Sequence, residues 1–247
     1  PHMPQALHLS VAAGITTDHE CLSFDEAREK IKAGLKLQIC HGSAAQPFEP
    51  FIPLLARYPD RCMFCSDLKL PDDLLRDHIN LIAATAYRKG ISLYAIIQAA
   101  SVNPVHHYRL PLGLLQPGNS ADFMLLDDLQ TFRPREVWLR GQCVARDGRS
   151  FLPLGEPCAR NRFAAGLLQP EALRVAATAG RAAHVIGVHD GQRVTTHLVE
   201  PPAVVNGLAV ADTERDIVKL VVYNRYRAAP PAVALVKGFG LKRGALA

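Results

Sequence analysis

Three short strand-like runs, each stopping abruptly at residues that can ionise or ligate, constrain this 247-residue chain more than any other feature. Ile15-Thr16-Thr17 ends in Asp18-His19-Glu20, the run over 35–40 ends in His41, and Cys62-Met63-Phe64-Cys65 ends in Ser66-Asp67. Helical patterns lie between them. Ser23 followed by Glu26 forms a capping box in front of FDEAREKIKAG, and Gly34 closes that helix. Further helices are expected over 5–13, 48–58, 71–90 and 92–101, the last stopping before Asn103-Pro104 because the residue preceding proline avoids the helical region. Strand and helix alternating with short connections predict an α/β fold with parallel strands, of the TIM-barrel type. In such a barrel the strand C-termini share one rim, where catalytic groups sit. A lone Asp after a strand is commonly a turn cap. Three strand ends with ionisable groups, at His19 and Glu20, at His41 and at Asp67, point instead to a site, with the role of His41 left open because it shares a face with Leu37 and Ile39.

Three βα units do not close an eight-stranded barrel, and open strands leave edges exposed. The missing strands are therefore expected in a removed N-terminal part, in another chain, or replaced by a different packing. The opening Pro-His-Met resembles a vector remnant, and the final residues end in a turn-like segment, so a fragment is expected.

Beyond Leu110 the pattern turns to β. A Pro-Gly turn precedes a strand over 122–126, and runs at 137–139 and 143–145 flank Arg140-Gly141-Gln142 as a hairpin, with another turn at Asp147-Gly148. Residues 153–184 are rich in Pro and Ala, with a helical stretch over 171–178. Short strands resume over 185–188, 193–198, 207–211, 217–223 and 233–236, with turn signals at Asp190-Gly191 and Asn206-Gly207. The expected organisation is part of a barrel over 4–110, a small β-sandwich segment over 111–152, a connection over 153–184, and a second mainly-β subdomain over 185–247.

Composition excludes several classes. The formal charge of +5 is spread among interleaved acids, which argues against a nucleic-acid surface. No apolar run approaches the ~20 residues of a membrane span. Six irregularly spaced cysteines suit reduced thiols in the cytoplasm rather than a disulfide framework. Cys62 and Cys65 spell C-x-x-C, but residues three apart on a strand point to opposite faces, so packing is the expected role. His106 and His107 suit compensation of a helix C-terminus. His78 is expected on the surface of an amphipathic helix. The spacing of His184, His189 and His197 suggests no ligand set. Gly238-Phe239-Gly240 lacks the strand and helix context of a phosphate-binding loop.

Five separated motifs carry a resemblance: AAGITTDHE at 12–20, HGSAA at 41–45, CSDLKLPDDLL at 65–75, ASVNPVHHYRL at 100–110 and VKGFGLKRGALA at 236–247. In order and spacing they are similar to bacterial adenine deaminases of the amidohydrolase superfamily, and GLLQPGNSADFMLLDD resembles the segment that follows the barrel there. The resemblance implies metal-dependent hydrolytic deamination of adenine to hypoxanthine and ammonia, with one or two divalent ions (Mn, Fe or Zn). It implies that His19 is a metal ligand after barrel strand six and that Asp67, after strand eight, contacts metal and water. Glu20 is implied as a second catalytic group, for proton transfer or substrate contact. A small-molecule substrate and a homo-oligomer are expected, with no nucleic-acid or membrane partner.

The chain departs from the pattern in places. The family's His-x-His pair, bridging acid and Gly-His are not found, and His2 is no convincing substitute. Cys40-His41 stands where Arg-Glu is expected, and Leu68 where a second acid is expected. These departures keep two alternatives: a divergent amidohydrolase acting on another cyclic amide or amidine, or a non-catalytic remnant. With only two ligands, the chain alone is expected to bind metal weakly and to lack activity.

Overall fold

A computed structural model describes residues 4–43, 47–156, 160–190 and 194–246. His2, Ala44, Ala45, Cys158, Gly191, Arg193 and Ala247, which figure in the sequence reading, lie outside them. The chain divides into two compact units, Pro1–Leu154 and Gly155–Ala247.

The first unit is an α/β arrangement. Helix α1 (Pro4–Ala12) precedes strand β1 (Thr17–Asp18), helix α2 (Phe24–Lys32), strand β2 (Lys36–Cys40), helix α3 (Pro53–Arg57) and strand β3 (Cys62–Cys65). The strands form a parallel sheet in the order β1-β2-β3. Leu37 lies opposite Cys62 and Ile39 opposite Phe64, so these four share one face, and all are buried. Onto that face pack Ala27 and Ile31 of α2 and Leu54 and Leu55 of α3. Helix α4 (Pro71–Leu74) precedes α5 (Ile79–Arg88), which adds Ile82, Ala83 and Ala86, and α6 (Leu93–Ile97), which adds Ala95 and Ile96. Burial of these side chains contributes roughly 1.5–3 kcal/mol for each large one. On the other face Gln38 donates to the Tyr108 hydroxyl at 2.7 Å.

Several expected helices differ. The helix over 48–58 is a 3-10 turn at Glu49–Phe51 followed by α3, because Pro50 and Pro53 each sit at a helix start where no N–H is needed. The helix over 71–90 breaks at His78, whose φ of −147° and ψ of −135° are not helical. Asp77 there is drawn into an ion pair with Lys69 and a hydrogen bond with His41, which outweigh local propensity. Conversely, the helix expected to stop before Asn103-Pro104 continues through a π turn (Gln98–Val102) into α7 (Asn103–Tyr108). The wide turn accommodates the missing N–H of Pro104. Buried Asn103 anchors it, donating to the carbonyls of Pro59 and Cys62, each at 2.7 Å.

An antiparallel meander of β4 (Phe123–Leu126), β5 (Pro134–Leu139), β6 (Gln142–Arg146) and β7 (Arg149–Ser150) completes this unit. The turns at Arg140-Gly141 and Asp147-Gly148 have positive φ at both central residues, the twist that suits a two-residue hairpin.

The second unit holds a four-stranded sheet ordered β12-β13-β8-β9, from β8 (Ala183–Gly187), β9 (Thr196–Glu200), β12 (Ile217–Val222) and β13 (Ala232–Lys237). A hairpin of β10 (Ala203–Val205) and β11 (Leu208–Val210) turns at Asn206-Gly207. The helix expected over 171–178 is only a 3-10 turn at Pro170–Leu173. Ala176 instead bridges to Leu208, and the Ala177 N–H donates to the Gly207 carbonyl. Gly238 is required by close approach: a Cβ there would lie 2.2 Å from the Val188 carbonyl oxygen. Asp216 accepts the N–H groups of Gly238 and Gly240, so this glycine segment is tied to a carboxylate. Among the described residues no helix is long and apolar enough to cross a membrane.

Candidate metal centre

Because β1, β2 and β3 are parallel, the residues after each emerge at one end of the sheet. His19 and Glu20 follow β1, and Asp67 closely follows β3. Nε2 of His19 lies 3.4 Å from Oε1 of Glu20 and 3.9 Å from Oδ2 of Asp67. One donor atom from each of the three lies within 4.8 Å of the others. Residues separated by 47 positions thus converge at the predicted rim. Their side chains are 36%, 52% and 39% exposed, so the cluster is open to solvent.

Local structure fixes the cluster from below. The Glu20 N–H donates to Oδ1 of Asp18 at 2.8 Å, which bends the chain after β1. Lys30 of α2 reaches up to Asp18 at 2.7 Å, to Glu26 at 2.8 Å and to the Glu20 carbonyl at 3.0 Å. Burial alone would lower the Lys30 pKa, but hydrogen bonds to Asp18 and Glu26 hold it above the ordinary lysine range. Burial pushes Asp18 upward, yet the Lys30 ammonium and the Glu20 N–H bring its carboxyl below the usual value. Ser23 and Glu26 cap α2 as expected: the Glu26 N–H donates to Ser23 Oγ and the Leu22 N–H to the Glu26 carboxylate. Asp67 adopts φ 50°, in the left-handed region that Asp tolerates better than most residues. That conformation turns the chain sharply at the end of β3.

His41 follows β2 at the same end of the sheet but has other partners. It follows Leu37 and Ile39 onto the helix-covered face, with its ring edge-on to Phe48 at 5.0 Å and Nε2 3.1 Å from Asp77. Lys69 also binds Asp77, at 2.5 Å. Ser43 binds the β3 loop through its N–H to the Leu68 carbonyl and its Oγ from the Leu70 N–H. The loops after β2 and β3 are therefore clasped together. His78 lies at the break before α5 rather than on a helical surface, with Nε2 3.0 Å from Ser66 Oγ. Burial, and then Lys69, lowers its pKa. Sequence reasoning missed Lys30 and the Lys69–Asp77 pair. The Glu26–Lys30 spacing of four signalled a helical ion pair, but nothing signalled its reach to Asp18.

Cys62 belongs to the core, while Cys65 is only partly buried. Burial pushes the Cys62 thiol up to about 12, which leaves it protonated and a poor ligand.

One imidazole and two carboxylates form a donor set that suits a divalent ion of the Mn, Fe or Zn type. The 3.4 and 3.9 Å separations from His19 fall below the roughly 4.4 Å limit for two atoms each bonded to one ion at about 2.0–2.2 Å. The residues present therefore fit a metal.

Comparison with known proteins decides the lineage. The model of the amidohydrolase family matches residues 2–144, and that of the adenine deaminase C-terminal domain matches residues 192–247. This chain belongs to the amidohydrolase family. Among family members, an adenine deaminase of Salinibacter ruber is 45% identical over 237 residues, covering 96% of this chain and 43% of that protein. One from Parabacteroides distasonis is 39% identical over 250 residues, covering 100% and 46%. One from Methanosarcina mazei is 38% identical, covering 96% and 45%. The chain thus spans less than half the length of these amidohydrolase relatives.

Proposed function

We propose that this chain is the C-terminal part of a metal-dependent adenine deaminase that converts adenine and water to hypoxanthine and ammonia. The observation that carries the reading is the convergence of His19, Glu20 and Asp67 at the rim of a parallel sheet. The name shared by the three relatives supplies the substrate. His19 and Asp67 would hold a divalent ion, with Glu20 beside them. When bound, such an ion lowers the pKa of its water toward neutrality and polarises the reacting centre. Asp67 then accepts the proton of the attacking water and returns it to the departing nitrogen. Glu20 contacts the base or assists that transfer. Overall, the bond from the ring carbon to the amino nitrogen breaks and a carbonyl forms in its place. The small substrate, a cytoplasmic setting and a homo-oligomeric enzyme belong to the same reading.

The ligand set is small for catalysis, since catalytic zinc usually takes three protein ligands and a water. The 247-residue chain alone therefore binds metal weakly and does not turn over adenine. A coupled ammonia assay on the purified, metal-loaded chain tests this, and robust turnover would overturn it.

His41 and Leu68 favour a second reading, an amidohydrolase acting on another cyclic amide or amidine. The resemblance places acids at both positions, whereas His41 here pairs with Asp77 and the Leu68 side chain is 63% exposed. Screening the complete gene product against adenine and cyclic amides separates the two: preference for a cyclic amide would replace adenine as the substrate.

A further inference from the structure

The second unit brings together two imidazoles that their spacing in sequence did not link. His184 lies on β8 and His197 on the edge strand β9. The antiparallel register pairs Ile186 with His197 and His184 with Val199, so both histidines project from the same face as diagonal neighbours. That face is opposite the one that buries Val185 and packs Leu198, and both histidines are exposed. Nδ1 of His184 and Nε2 of His197 are 2.7 Å apart, and the rings stack with centroids 4.9 Å apart at 29°.

A contact of that length needs a hydrogen on one nitrogen and a lone pair on the other, so a single hydrogen joins the two rings. Replacing that proton with a divalent cation engages both lone pairs. Geometry distinguishes among cations. Two nitrogens at ~2.0 Å from one ion are ~2.8 Å apart at a right angle and ~3.3 Å apart at the tetrahedral angle. The observed separation is nearer the first, which belongs to tetragonal Cu(II) and Ni(II) rather than tetrahedral Zn(II). The rings are exposed, so the rotation that converges their lone pairs meets little steric resistance. The β-ladder fixes the two backbones, so little ordering is lost on binding.

We propose that His184 and His197 form a cross-strand bis-imidazole site for a tetragonal divalent cation, with water completing the coordination. Ligation is through Nδ1 of His184 and Nε2 of His197, while the opposite ring nitrogens keep their protons. The site shares no residue with the His19, Glu20 and Asp67 cluster. A bound ion links the edge strand β9 to β8 and strengthens the margin of the sheet.

Calorimetric titration with Ni(II) tests the assignment, at a pH where free imidazole is neutral. The 247-residue chain carrying H19A and D67A serves as the background, so that binding at the rim does not contribute. Saturable binding in that background, lost in H184A and in H197A, is expected. A rise in melting temperature with Ni(II), abolished by the same substitutions, is expected alongside it. Both positions are exposed, and circular dichroism verifies that the variants fold. Absence of Ni(II) binding in the background chain, or binding unchanged in the H184A/H197A double variant, would overturn the proposal. Neither result bears on the reading of the rim.

Discussion

Asp67, at φ 50°, trades some backbone energy for direction. A non-glycine residue in that region is held by its surroundings, and such positions concentrate at functional sites. Its carboxylate meets His19 across the rim because the backbone turns immediately after β3. Lys30 is the other decisive residue. Its side chain is 15% exposed and neutralises Asp18 and Glu26, so K30M leaves two carboxylates facing each other without a cation. We expect a loss of about 1–3 kcal/mol, read by urea denaturation, since a charged partner is removed from a mostly buried pair. The pH dependence has a definite sign. The folded pKa of Asp18 lies below its ordinary 3.8, so the unfolded chain binds more protons in that window. The stability Asp18 contributes is therefore fully present above its unfolded value and is lost as pH falls through the lower folded value. Acid titration of stability followed by circular dichroism should show this loss in the parent chain and a smaller one in K30M.

At the scale of elements, the periodicities that were readable were those that packing and local capping both favour. Strands β2 and β3 and the capped helix α2 follow from apolar runs and from Ser23 with Glu26. The turns at Arg140-Gly141 and Asn206-Gly207 follow from residues that tolerate positive φ. What could not be read was decided by distant partners. His41 and Lys69 capture Asp77 and break the expected long helix, while Asn103 carries a helix through Pro104 by binding carbonyls beside β3. Cross-strand register, likewise absent from local spacing, brings His184 to His197. Two substitutions test these forces. N103A should cost about 1–3 kcal/mol in thermal or urea unfolding, because the part-buried Pro59 carbonyl and the buried Cys62 carbonyl lose their donor. G238A should destabilise the second unit by more than about 1 kcal/mol, since a Cβ would meet the Val188 carbonyl and the residue has φ 107°. Retention of the parental melting temperature by either variant would contradict the packing described.

For the whole molecule, the lineage and part of the site were legible, because five motifs keep the order of one family and the three rim residues come from strand ends. His41, whose role spacing left open, shares the face of Leu37 and Ile39 as its parity implies, and there it meets Phe48 and Asp77. We propose above all that His19 and Asp67, with Glu20 beside them, bind a divalent cation. Mn(II) is the most direct probe, because it prefers carboxylate and water ligands over a bis-imidazole pair. Titration of the 247-residue chain with Mn(II), followed by electron paramagnetic resonance of the free ion, should reveal weak but saturable binding that disappears in D67A and in H19A. Undiminished Mn(II) binding in both variants, or none in the parent chain, would contradict the account.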